Sequence, residues 1–174
     1  MTEWKFNDLL LKIKQGNKAA FDTLYKEYYP KMLFTANNIT NNIDDAKDAV
    51  QTAFLKLWKY IIDSDKTNAK YFDSYLYTIA RNAALDIVTN RNLFEISEDV
   101  ETAAADNYTD DSNIAYIDIQ MAIRRLKEPE QTVAVQFYLF NIKIKEIAKY
   151  LNEPVGTVKW RISEIKKYFE KVLK

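Results

Sequence analysis

Ile144-Lys145-Glu146-Ile147-Ala148-Lys149-Tyr150-Leu151-Asn152-Glu153-Pro154-Val155-Gly156-Thr157-Val158-Lys159-Trp160-Arg161-Ile162 has the pattern of two short helices joined by a tight turn. Ile147, Ala148 and Leu151 stand at i, i+1 and i+4, which gives the first helix one apolar face. Ala148 is small, as a close helix crossing requires. Asn152-Glu153-Pro154 stops that helix and starts the next, because proline is accepted in a first turn but not in an interior. Val158, Ile162, Ile165 and Phe169 then recur at i, i+4, i+7 and i+11, a stripe to be buried. The opposite face carries Thr157, Lys159, Trp160, Arg161, Ser163 and Lys167. A second helix with such a basic, hydrogen-bonding face is the one that lies in a DNA major groove. The plainer alternative is a helical hairpin whose basic face is merely solvated.

The rest of the chain favours helices throughout. Two glycines and three prolines in 174 residues argue against a turn-rich β-sandwich or barrel. There is no cysteine and no histidine, which removes disulfides, thiolate nucleophiles, the usual zinc ligands and histidine acid–base catalysis. No carboxylates group around a phosphate-binding loop, so neither a metal nor a cofactor is expected. No nucleophile–base constellation points to an enzyme or a small-molecule substrate. No apolar stretch is long enough for membrane insertion, and Met1-Thr2-Glu3-Trp4-Lys5 does not open a signal peptide. A cytoplasmic protein is the expectation.

Net charge is zero, yet it divides unevenly. From Met1 to Asn92 there are thirteen basic and eleven acidic residues, and from Ile114 to Lys174 twelve and seven. Between them, Leu93 to Asn113 holds Glu95, Glu98, Asp99, Glu101, Asp106, Asp110 and Asp111 and no lysine or arginine. The expected organisation is therefore an all-α body over 1–92, an acidic linker over 93–113 and a helix-turn-helix body over 114–174. Such modest basicity implies weak DNA binding by this chain alone, since phosphate contacts supply most non-specific affinity; a partner shares the task. The linker reads either as a solvated tether or as a polyanion that mimics nucleic acid in a basic channel. Fully extended, it spans about 70 Å.

The first body reads as four helices. Phe6 to Lys14 ends at Gln15-Gly16-Asn17, with glycine as the C-cap signal. Lys18 to Asn37 follows, with Pro30 expected to kink or interrupt it. The third begins after Asn42, with Asp44 and Asp45 near its positive end, and runs to about Ile62. The fourth covers Phe72 to about Thr89. On the third helix Asp48, Gln51 and Leu55 form an outward row suited to docking another helix, or simply a solvated face.

Four blocks resemble bacterial sigma factors of the sigma-70 family. Asp45-Ala46-Lys47-Asp48-Ala49-Val50-Gln51-Thr52-Ala53-Phe54-Leu55-Lys56-Leu57-Trp58 is similar to the stretch that binds core polymerase. Tyr75-Leu76-Tyr77-Thr78-Ile79-Ala80-Arg81-Asn82-Ala83-Ala84-Leu85-Asp86 resembles the helix that melts and reads the −10 element. Pro154 to Ser163 resembles the −35-reading helix, and Gln15 to Phe21 with Leu24 to Tyr29 resembles the family's opening. The blocks follow the family's order, and the lack of further domains matches the small extracytoplasmic-function group.

The resemblance implies a core RNA polymerase partner, through its β′ and β subunits, and promoter DNA. Asp45, Asp48, Gln51, Phe54, Leu55 and Trp58 fall on the polymerase-gripping stretch, although the helix stripe equally allows Phe54 and Trp58 to be core. Asn82 falls where the family captures a flipped base, and an amide can both donate to and accept from one base edge. Lys66 and Asn68, in the preceding loop, would line that pocket, and Arg81 and Arg91 would hold phosphates. Tyr71, Phe72, Tyr75 and Tyr77 supply ring faces for unstacked bases or else pack in the core. In the last body Lys159 and Arg161 are implied base or phosphate contacts, Thr157 a phosphate contact at the helix start, and Lys143, Lys145 and Lys167 supporting cations. Trp160 replaces the small residue common there, Tyr75 a tryptophan and Lys47 an acidic residue. The family's linker enters the RNA exit channel, which suits the polyanion reading. An anti-sigma factor covering the third helix is a further implied partner. Two other classes stay open: a helix-turn-helix regulator that binds operator DNA as a homodimer, and an interaction module that has lost DNA binding.

Overall fold

The computed structural model describes residues 3–63, 71–94 and 114–173. These form eight α-helices and no strand, in two compact units, Met1–Asp106 and Asn107–Lys174. Lys66, Asn68 and residues 95–113 of the acidic linker lie outside the described residues, while Leu93 and Phe94 belong to the last helix of the first unit. No helix among those described is long and apolar enough to cross a membrane.

The first unit contains α1 (Glu3–Lys14), α2 (Lys18–Thr40), α3 (Ile43–Asp63) and α4 (Phe72–Phe94). Helices α2, α3 and α4 pack against one another, and α1 lies on α2 and α3. Gly16 turns the first corner with φ 81°, a conformation that costs a residue without Cβ nothing. Asn17 then caps α2, its Oδ1 accepting the Ala20 amide at 3.1 Å. Asn42 caps α3 in the same way, accepting from Asp44 at 2.9 Å and Asp45 at 3.1 Å, so the orphan donors of that helix start are met.

Leu10, Ile13, Leu24, Met32, Leu57, Ile61 and Leu76 are fully buried. Buried alanines on α3 (Ala46, Ala49, Ala53) and α4 (Ala80, Ala83, Ala84) let these two axes come close. The Tyr28 hydroxyl donates to Asp73 at 2.7 Å, joining α2 to α4. Burial, followed by the Asp73 carboxylate, pushes the Tyr28 pKa far above the ordinary phenol value.

Two expectations need correction here. Pro30 does not interrupt α2, which runs unbroken from Lys18 to Thr40. Its ring sits on an exposed face, while the residues that α2 buries against α3 and α4 hold the helix on both sides of it. Helix α4 also continues past Thr89 to Phe94, although its last turns lack apolar periodicity. Arg91 explains the extension: it pairs with Asp45 of α3 at 2.9 Å and anchors the final turns.

The second unit contains α5 (Ile114–Arg124), α6 (Glu130–Ala134), α7 (Ile144–Leu151) and α8 (Val155–Val172), with a π-helical turn, Val135–Leu139, continuing α6. Helix α8 is the spine: α6 and α7 pack along it, and α5 touches both α6 and α8. Gln131 Nε2 donates to the terminal carbonyls of Ile123 and Arg124 at 3.3 and 3.4 Å, satisfying acceptors that the end of α5 leaves open. Ile147, Ala148, Val158, Ile165 and Phe169 are buried, as the periodicity predicts, while Leu151 and Ile162 sit at the margin.

Candidate nucleic-acid interface and docking face

The turn between α7 and α8 sets the direction of the second helix. Asn152 closes α7 in the left-handed conformation, φ 54° and ψ 39°, and the Glu153 amide returns to the Ala148 carbonyl at 2.9 Å. Pro154 stands just before α8 in an extended conformation, and its carbonyl accepts from Thr157 at 3.0 Å and Val158 at 3.3 Å. The helix therefore starts with a fixed direction and leaves the amides of its first residues open, a feature suited to phosphate.

Lys159, Trp160 and Ser163 are exposed and Thr157 half-exposed on the outer side of α8. Lys143 and Lys145 are exposed at the start of α7. Among the described residues neither these two lysines nor Lys159 makes an ion pair, so their charges are available to a polyanion. Lys167 is different: its ammonium bonds Glu164 at 2.7 Å on the surface.

Arg161 departs most from expectation. Its guanidinium is bound from two sides, with Nε and Nη2 donating to both oxygens of Glu153 at 3.2 and 3.1 Å and Nη1 donating to Glu130. Only 16% of its side chain is exposed. The hydrogen bond to Glu153 first, then that to Glu130, hold its pKa above the ordinary value against the opposing effect of desolvation. The fork–fork geometry locks α8 to the preceding turn and to α6. Arg161 is thus a clamp inside the unit, and neither Glu130 nor Glu153 stood out in the sequence.

On α3 the structure separates residues that one stripe had grouped. Leu55 is 67% exposed and Trp58 39%, with Ile62 continuing the row at i+7 and Asp48 and Gln51 exposed beside it. Phe54 does not belong to this face. It is buried, with its ring 4.6 Å from Tyr25 and 6.2 Å from Phe21. Trp58 meets Phe21 at 5.1 Å with the two rings nearly perpendicular, so part of the indole is packed. Asp45 and Arg91, expected at a protein and a DNA contact respectively, pair with each other at 2.9 Å and remain partly exposed.

On α4, Asn82 is exposed and Arg81 half-exposed. Asn82 lies seven residues after Tyr75, about 10 Å along the same side of the helix. Tyr75 is half-buried and shares its ring with Tyr60, centroids 4.5 Å apart and planes inclined by 33°. Burial, then Tyr60, raises its pKa. Phe72 and Tyr77 are core residues, whereas Tyr71 is exposed. Tyr60 was missed because the partner of an aromatic pair across two helices leaves no local signal. Among the described residues no group of three or more carboxylates is placed to hold a metal ion.

The family model for Sigma-70 region 2 matches residues 24–93, and that for Sigma-70 region 4 matches residues 116–168. The chain is 30% identical to the ECF RNA polymerase sigma factor SigW of Bacillus subtilis, over 93% of each chain. It is 25% identical to the RNA polymerase sigma-H factor of Pseudomonas aeruginosa, over 99% of this chain and 96% of that one. It is 26% identical to the ECF RNA polymerase sigma-E factor of Haemophilus influenzae, over 93% and 92%. The fold is similar to that of CnrH, solved in complex with the cytosolic domain of CnrY, with a TM-score of 0.54 at 18% identity over 95% of this chain and 94% of that one. With both halves matched in order and a relative of this similarity spanning nearly the whole length, the chain belongs to the sigma-70 family, as a sigma factor of the extracytoplasmic-function group that directs promoter-specific transcription.

Proposed function

We propose that this sigma factor binds core RNA polymerase through the outer face of α3 and reads promoters with α4 and α8. The exposed row of Leu55, Trp58 and Ile62 carries this reading. Three large apolar side chains on one helix face, with Asp48 and Gln51 beside them, favour a protein partner over solvent. The β′ and β subunits of polymerase are the partners inferred. The same row is the surface an anti-sigma factor would cover; CnrH, a chain of similar fold, was solved bound to another protein, the cytosolic domain of CnrY.

Asn82 captures a base flipped from the −10 element, with Tyr75 as a stacking wall and Arg81 on phosphate. Helix α8 enters the major groove of the −35 element, with Thr157, Lys159 and Trp160 towards DNA and Lys143 beside the backbone. The boundaries inferred for this division of labour are 1–92, 93–113 and 114–174. The relatives are named as sigma factors rather than enzymes, and the inferred action is binding and strand opening without covalent chemistry.

The test is run-off transcription from a genomic promoter pool with core polymerase, comparing the native chain with Asn82→Ala and Lys159→Ala. Promoter-specific transcripts that fade with either change are expected. The salt slope of promoter binding should fall by about one for Lys159→Ala if that lysine neutralises one phosphate. Tight operator binding without polymerase, and no transcript, would make the chain a self-sufficient regulator and overturn the proposal.

A further inference from the structure

Helix α8 contains a single arginine, and Arg161 is committed to Glu153 and Glu130. The commonest specific contact in a major groove, an arginine forked onto guanine, is therefore missing from this helix. What faces outward instead is Trp160, 58% exposed and the most exposed aromatic side chain among the described residues. Helical spacing places Gly156 one turn before it and Ser163 one turn after it, on the same side. A Cβ at Gly156 would meet nothing within 4 Å. The indole thus has a glycine and a serine one turn away on this side, with Thr157 and Glu164 as its other neighbours at helical spacing, and stands mostly open.

An indole has one donor, no acceptor and a broad apolar face. Of the four bases, only thymine presents an apolar group, its C5-methyl, in the major groove. We propose that Trp160 determines promoter specificity by packing its indole against the methyl group of a thymine in the −35 element. The inference rests on the reading that α8 docks in that groove and adds which base it selects and by which atom.

The experiment uses holoenzyme and a promoter recovered from the run-off pool. Each thymine of the −35 element, on either strand, is replaced singly by uracil, which removes only the methyl, and the Kd is measured at fixed salt. At one or more positions uracil should weaken the native holoenzyme about fourfold, the worth of one buried methyl-sized group. Trp160→Ala should weaken binding to the thymine promoter and abolish the difference between thymine and uracil, whereas Trp160→Phe should keep part of it. If promoter-specific transcription persists while uracil has no effect anywhere, or has the same effect in native and Ala forms, Trp160 does not read a methyl and only this inference falls. If no promoter-specific transcript forms with polymerase at all, the reading of α8 falls with it.

Discussion

The outer faces of α3 and α8 each expose a tryptophan, in opposite settings. Trp58 lies in a row of aliphatic neighbours, with Leu55 and Ile62 on one face, and its ring is partly packed by Phe21. Trp160 has no large apolar neighbour one turn away, where Gly156, Thr157, Ser163 and Glu164 stand, and Lys159 lies beside it. The first setting is a continuous apolar ridge, which another protein can dehydrate. The second is an isolated ring among hydrogen-bonding and charged groups, with Glu164 paired to Lys167, which suits a polar groove with occasional apolar points. One residue type therefore serves two kinds of partner, and its neighbours on the helix decide which.

The largest effect is expected from breaking the α3 ridge. Leu55→Asp should weaken association with core polymerase about 30-fold or more, as for a central hot-spot side chain, measured by competition for core enzyme. Because Leu55 is exposed, the melting curve of the free protein should hardly move. An unchanged affinity would remove the contrast between the two faces.

The clamp at Arg161 should show the reverse pattern, a loss of stability before any loss of contact. Arg161→Ala leaves Glu130 and Glu153 without their shared cation and should cost the second unit about 2 kcal/mol in chemical denaturation. Arg161→Lys should recover less than half, since an ammonium cannot form the fork. A variant of full stability that lost DNA binding would return Arg161 to the groove.

A smaller effect, confined to the first unit, is expected from Tyr28→Phe. Loss of the bond to Asp73 should cost about 1.5 kcal/mol. The native phenol keeps its proton beyond the ordinary range, so above a pH of about 10 the unfolded chain ionises first and stability falls as pH rises. The Phe variant should lose this part of the alkaline sensitivity, read as denaturation midpoints across pH 9 to about 11.

What was legible in the sequence follows from the range of each interaction. The α7–turn–α8 unit could be read because its determinants are local: Pro154 and Asn152 in the turn, and Val158, Ile165 and Phe169 at helical spacing. Phe54 and Trp58 fell on one stripe, and spacing alone does not say where the stripe's edge lies. Rings arriving from α2, those of Phe21 and Tyr25, draw that edge. Arg91 with Asp45, and Arg161 with Glu130, are pairs separated by 46 and 31 positions. A cation looks available until its distant carboxylate is placed, and neither pairing leaves a local signal in the sequence. Pro30 shows the reverse: the local rule allows an interruption, but packing on both sides of it keeps α2 continuous.

Among the described residues asparagine turns three corners: Asn41, Asn141 and Asn152 hold φ of 50°, 55° and 54°. Their consequence lies in the denatured ensemble. Glycine would adopt these angles with less strain, but it would also give the unfolded chain more conformations to lose on folding. Asparagine accepts some native strain and keeps that ensemble narrower. The angle at which α8 leaves α7 is thus favoured in part by freedom that the unfolded chain never had.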